Sequence, residues 1–448
     1  MPETNMKPKK SDILSSEWLC CARTVLFFVI FALFLFQDKL QEEIALFQYF
    51  DEGIALLALP LFFAHFLRGS RVMRSSGETI ALFVCLAVFW CCGWAGHFIY
   101  RYQPLTEAAK DAYVNVKFFL AAAAGYLLFA DGRRTRRGEK HKVNGTGAYD
   151  FSVLRRYLWP VLYYGTAVLA VLTVLDAVFH IFSSDTRGGI PAVKLFYSAQ
   201  TTLVGICVFL ASMLLWFYKE KGKKIVLPLV LLSCIMFSTL RVKAVGAIVC
   251  ILLVYLFILR RRQKLGRKMK IFLVFVLAFA GVAGVYQVFR YYYQMGMESA
   301  RAVLTLAAPA VAWKHFPTGS GFATFASAFS AENSYSPVYE LMEISGVWGL
   351  SPGYHQFVSD TYWPMILGQC GFFGFAALVA ALVLFARKLW GMKTDPTSLA
   401  SAALPFLYLL ISSTSESAFA NPLAVPLAFW TGILLAAHQS SGKSGTDR

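Results

Sequence analysis

Long apolar blocks recur along the whole chain, divided by shorter polar stretches. A helix needs about 20 apolar residues to cross a bilayer. About twelve blocks meet or approach that length: 21–37, 48–67, 79–99, 112–130, 157–181, 197–218, 225–240, 244–259, 271–289, 362–386, 399–415 and 422–438. The pattern predicts an all-α fold, a polytopic membrane helical bundle of about twelve transmembrane helices with one large outer loop. It divides the chain into helices one to nine over 1–289, an extracytoplasmic loop over 290–361, and helices ten to twelve with a cytoplasmic tail over 362–448. The first apolar block follows Lys7 to Lys10, lacks a small-residue cleavage site and is succeeded by further blocks, so it reads as a retained helix.

Composition agrees with the pattern. Of 448 residues, 58% are hydrophobic and 15% charged, more apolar than a soluble globule carries. The net charge of +17 would suggest nucleic acid in a soluble chain, but its distribution decides otherwise. With the N-terminus in the cytoplasm, alternate connections collect the cations. These are Arg68, Arg71 and Arg74; then Arg133, Arg134, Arg136 and Arg137; then Lys219, Lys221, Lys223 and Lys224; then Arg260 to Arg262 with Arg267, Lys268 and Lys270. This positive-inside bias places both termini in the cytoplasm and makes anionic membrane lipid, not nucleic acid, the partner of the basic residues. None of the nine cysteines falls in an expected outer loop, so neither a disulfide framework nor a thiolate metal site is implied. The polar connection from Asp131 to Arg156 reads as a flexible loop, and its sequon at Asn144 lies on the wrong side for glycosylation.

The expected outer loop is too long to be a mere connection. "MESARAVLTLAAPAVAWKHF" predicts a helix carrying Arg301, broken at Pro317 and "TGSGFATF". The loop is aromatic and punctuated by glycine, and is expected to pack as a cap over the helix ends.

Candidate chemistry gathers around this loop. Arg241 and Lys243 sit in a tight turn between two short apolar blocks, where charge either snorkels to headgroups or marks a site. Arg301 is either the polar face of an amphipathic helix or part of an anion site, since a guanidinium grips phosphate through two parallel hydrogen bonds. Lys314 and His315 are either solvated loop residues or further contributors. Pro364 suits a first helical turn, which puts the helix cap between Thr361 and Trp363 and leaves Asp360 just outside it. Asp360 then serves either the helix dipole or a general-base role at a cavity rim, and His355 is a second candidate base. No Walker loop, dinucleotide fingerprint, His-Glu-x-x-His or Asp-x-Asp pair is found, so neither metal nor cofactor is expected.

The order of these features resembles the O-antigen ligase and O-antigen polymerase superfamily of membrane glycosyltransferases. The matching elements are Arg241 before a small-residue helix, "ARAVLTLAAPAVAWKHFPTGSGFATFAS" from Ala300, "YSPVYE" from Tyr335 and "SDTYWPMILGQCGFFG" from Ser359. They cover Leu240 to Phe375; the first half agrees in span count and hydrophobicity. The resemblance implies an undecaprenyl-diphosphate-linked oligosaccharide donor, bound at the outer face of a bacterial cytoplasmic membrane. It also implies a flippase and a chain-length regulator of the same pathway as partners. Family arginines on the diphosphate correspond to Arg241 and Arg301, with Lys243 and Lys314 as further cations. Where ligases carry a His-Asn pair before the next helix, this chain has Asp360 and Thr361. That departure favours the polymerase branch, with Asp360 as base and Tyr335 and Tyr339 stacking on sugars; Trp363 either stacks likewise or anchors the helix at the interface. The alternatives are a ligase, a flippase for lipid-linked sugars, and a structural partner of an export machine.

Overall fold

A computed structural model of the chain describes residues 10–67, 76–130, 149–183, 185–260 and 289–442, with isolated positions between 261 and 288. Lys7 and Lys9, the clusters at Arg68 to Arg74 and Arg133 to Arg137, the sequon at Asn144, Arg261, Arg262, Lys268 and Lys270, and much of the expected block 271–289 lie outside the described residues.

The described residues are almost entirely helical. In chain order the principal helices are α1 (Lys10–Glu43), α2 (Phe50–Leu56), α3 (Ala58–Leu67), α4 (Gly77–Tyr100), α5 (Leu105–Val114), α6 (Lys117–Phe129), α7 (Phe151–Phe179), α8 (Gln200–Trp216), α9 (Val226–Ser238), α10 (Val242–Arg260), α11 (Ala300–Lys314), α12 (Trp363–Trp390), α13 (Pro396–Ser412) and α14 (Ala424–Gly442). A two-stranded hairpin, Thr186–Arg187 with Ile190–Pro191, lies between α7 and α8. Local chemistry sets the ends. Ser76, Asp150 and Asp395 accept backbone N–H groups at the starts of α4, α7 and α13. Arg101 and His180 adopt the left-handed conformation that closes α4 and α7.

Among the described residues, six helices or helix runs are long and apolar enough to cross a membrane, or eight if each of two bent pairs is one span. The bent pairs are α5 with α6, at 53°, and α8 with the Tyr218–Ser238 segment, at 57°. The molecule has the apolar surface such a role demands. Along α7, Val168, Val171, Val174 and Val178 are exposed, as are Phe83, Val84, Phe98 and Ile99 on α4. By contrast α8 is buried from Leu203 to Trp216, at the centre of the bundle. The closest helix pair is α6 with α14, where small residues let the backbones touch: a Cβ on Gly125 would lie 2.0 Å from the Phe429 carbonyl oxygen, and one on Gly432 2.0 Å from that of Ala122.

The segment between α10 and α12 does more than cover helix ends. After α11 the chain threads into the bundle, where Phe322 and Phe325 are fully buried. Phe322 packs edge-on against Phe89 and Trp94 of α4. The thread is pinned to α12: Ser320 N–H donates to the Gly368 carbonyl at 3.0 Å and Gly321 N–H to that of Gln369 at 2.9 Å. Those carbonyls are open to outside donors because α12 breaks at Gly371, whose φ is +65°. A Cβ there would stand 2.8 Å from the Gly319 nitrogen, and one on Gly319 2.3 Å from the Gly371 nitrogen, so both glycines are required. From the other side buried Asp111 of α5 accepts the Ala323 N–H at 2.7 Å and the Ser327 hydroxyl at 2.6 Å.

Candidate functional site: paired charges beside a polar cavity

Between α9 and α10 the chain reverses through Leu240, which takes a left-handed φ of +52°. This tight turn carries Arg241 and Lys243 to the same end of the bundle as the inserted segment. Arg241 donates through Nη2 to the Gln200 side-chain oxygen at 2.9 Å, and Gln200, the first residue of α8, donates in turn to Asp185 at 2.9 Å. Lys243 is held 2.6 Å from Glu416, in the connection between α13 and α14.

Arg301 stands in the first turn of α11. Its Nε and Nη2 both donate to Oδ2 of Asp360, at 3.1 and 2.9 Å. Asp360 makes no capping bond to α12, which starts at Trp363 after a Tyr362 cap with Pro364 in its first turn. The side chains of this pair retain 20% and 28% of their exposure, and those of Lys243 and Glu416 19% and 20%, so water and small solutes reach all four. Lys243 is also within electrostatic reach of Arg301 and Asp360. Two cations and two carboxylates therefore form one balanced cluster, with Arg241 two residues before Lys243 in the same turn. Ser417 ties the α13–α14 connection to this group by donating to the Ser359 carbonyl at 3.0 Å, and Trp363 donates to Ser413 at 3.0 Å.

The other two candidates stand elsewhere. Lys314 is exposed at the far end of α11 and donates to the Leu341 carbonyl at 3.4 Å. His355 turns back on its own loop, 3.3 Å from the Pro352 carbonyl. His315 is buried, held between the Val311 carbonyl at 2.8 Å and the Tyr102 hydroxyl at 3.1 Å, and so fastens the end of α11 to the α4–α5 turn. Of the stacking candidates, Tyr339 is fully buried and bonded to Ser330, and the Tyr335 hydroxyl donates to the Leu350 carbonyl. Burial raises the Tyr335 phenol to about 12 and that of Tyr339 further still, as expected of structural tyrosines.

Sequence reasoning does not single out Glu416, which sits in "STSES" between the last two apolar blocks. Nor does it find a second ionic group inside the bundle. Lys117, at the start of α6, is 2.8 Å from Asp51 and 3.6 Å from Glu52 of α2. Lys117 and Asp51 are essentially inaccessible, and Gln37 of α1 completes the group by donating to Asp51 at 3.0 Å. The signal was present: Lys117 is the single charge in the apolar stretch 114–130, and Asp51 and Glu52 head the block 48–67. A cavity of about 240 Å³ extends between the two ionic groups, with Gln37 in one wall and Glu416 in another.

Among the described residues no group of His, Cys, Asp and Glu is arranged to hold a metal ion. What the cluster offers is positive charge on Arg241, Lys243 and Arg301 for an anion, and carboxylates that such an anion would displace. Compared with known proteins, the chain matches no protein-family model and no curated protein.

Proposed function

We propose that the chain is a membrane glycosyltransferase of the O-antigen polymerase type. It transfers a glycan from undecaprenyl diphosphate to a lipid-linked repeat unit at the outer face of a bacterial cytoplasmic membrane. In this reading the bundle has the full twelve spans, both termini are cytoplasmic, and the end bearing the inserted segment is the outer one. The observation that carries it is the meeting of Arg301–Asp360 with Lys243–Glu416 beside Arg241 at one end of an apolar bundle. A diphosphate arriving there takes over the guanidinium and ammonium groups, which stabilise the charge that develops as the bond to the anomeric carbon breaks. The same exchange releases Asp360 from Arg301, leaving a carboxylate to take the proton of the attacking hydroxyl. The paired ground state keeps that base occupied until the donor is bound.

The test is complementation of a native host that lacks the gene, with surface glycans resolved by gel and mass profile. The deletion yields single repeats in place of a ladder. Arg301→Ala and Asp360→Asn restore no ladder although both proteins reach the membrane at normal levels. A full ladder from Arg301→Ala would overturn the reading. A flippase is the second reading, and the observation in its favour is the Lys117–Asp51–Glu52 group, since charge inside a bundle often marks a transport path. It predicts movement of labelled lipid-linked repeat across liposomes by the purified protein, which the transferase reading does not.

A further inference from the structure

The cavity beside the charge cluster has a composition of its own. Its walls come from the end of α1, the residues just before and at the start of α8, the end of α13 and the connection into α14. Two carboxylates face it, Asp38 and Glu416, and both are engaged. Asp38 accepts the Ser198 N–H at 3.0 Å and its hydroxyl at 2.6 Å, while Glu416 holds Lys243. Glu416 is neutralised by Lys243, and Asp38 alone does not make a cation site. Among the described residues no Lys or Arg lines the cavity, so none of them recognises a phosphate there.

What remains is neutral, part hydrogen-bonding and part apolar. The carboxamides of Gln41 and Asn421 and the hydroxyls of Thr201 and Thr202 face the space, and among the described residues their side chains make no hydrogen bond to the protein. Apolar surface comes from the rings of Phe34, Tyr197 and Tyr408 and from aliphatic side chains of α8, α13, the α13–α14 connection and α14. Amides and hydroxyls beside aromatic rings suit a ligand with hydroxyls on its rim and C–H groups on its face. The volume of about 240 Å³ gives room for a single pyranose ring.

We infer that this cavity is a binding site for one neutral sugar residue, the end of the acceptor glycan, held with a hydroxyl toward Glu416. The inference rests on the glycosyl-transfer reading for the word acceptor, and on the cavity alone for the word sugar. It divides the labour at this end of the bundle: Arg241, Lys243 and Arg301 for the charged donor, and the cavity for the neutral partner.

The test is saturation-transfer difference NMR on the full chain in phosphatidylethanolamine–phosphatidylglycerol nanodiscs. The probes are the methyl glycosides of glucose, galactose, rhamnose and N-acetylglucosamine, with methyl glucuronide and inorganic diphosphate alongside. At least one neutral glycoside gives a signal that falls fivefold or more in Asn421→Ala and in Gln41→Ala, survives in Arg301→Ala, and is not displaced by diphosphate. Melting curves matching the parent chain's show that the two cavity variants are folded. Silence from every neutral glycoside, a signal unchanged in both cavity variants, or binding of the glucuronide alone overturns the proposal. The two readings fail separately. Glycoside binding alongside a full polymer ladder from Arg301→Ala leaves the sugar site standing without the transferase, and loss of the ladder with no glycoside binding does the reverse.

Discussion

At the scale of single residues, Lys117 is a charge whose loss the bundle feels strongly. Its ammonium is sealed against Asp51, so removing it strands a fully buried carboxylate, whereas removing both leaves only Glu52, whose side chain is partly exposed. Breaking such a pair costs about 3–5 kcal/mol, while replacing both partners is often close to neutral. Lys117→Met is therefore expected to lower the melting temperature of the detergent-solubilised protein sharply, and Lys117→Met with Asp51→Asn to recover most of the loss; equal destabilisation by both would contradict the pairing. His315 gives a pH signature. Burial, with the neighbouring Lys314 charge, holds its imidazole below the usual histidine range although the Val311 carbonyl pulls the other way. A histidine that folds neutral adds stability that is fully present above its unfolded pKa of about 6.5 and is lost as pH falls below that value. Between about pH 7.5 and pH 5.5 the melting temperature should fall more for the parent chain than for His315→Gln, and parallel curves would refute this. Individual residues were unevenly legible. Arg241, Lys243, Arg301 and Asp360 stood out because each is a charge in apolar surroundings, but pairing depends on contacts between residues far apart in sequence. The partner of Lys243 is in a serine-rich connection that looks unremarkable by itself.

At the scale of elements, the break in α12 is the feature on which the inserted segment depends. Gly371 needs its positive φ and Gly319 its bare Cα, because each occupies the space of the other's missing side chain. Gly371→Ala should abolish folded, monodisperse protein, while Gly165→Ala, in open space on α7, should leave yield and melting unchanged. Size-exclusion profiles of the two variants make the comparison, and a well-behaved Gly371→Ala would show that the thread and the break are independent. The start of α12 was legible from Pro364 alone, since proline lacks the N–H that a first turn does not need. The helix carrying Arg301 was legible from its apolar spacing, and appears as α11. What could not be read was the course of the chain after Pro317. Glycines and small residues predict a turn-rich stretch, but its burial follows from backbone donors finding the freed carbonyls of Gly368 and Gln369, a match between distant segments.

At the scale of the whole molecule, apolar block length made the helical class plain, and the bends explain why helices and spans do not correspond one to one. The α5–α6 break falls beside Lys117, where a straight helix would not set that ammonium against α2. The proposed orientation has a direct check at the exposed hairpin. Gly188 and Gly189 have open space around them, so a reporter domain inserted there should not disturb the bundle. Alkaline phosphatase at that point should be active and a green fluorescent protein after Arg448 should fluoresce; the opposite pair of results would invert the assigned topology. The Lys117–Asp51 bond also bears on how the chain is made. Its partners are 66 residues apart, so at about 5–20 residues per second the ribosome delivers the acid roughly 3–13 seconds before the base that neutralises it. Until α6 emerges, the carboxylate on α2 has Gln37 of α1 as its hydrogen-bond donor but not the cation that neutralises it in the finished bundle. A ribosome stalled between Asp51 and Lys117 would leave a nascent chain whose buried acid has no base to meet, the kind of fault that the cell's membrane quality control acts on.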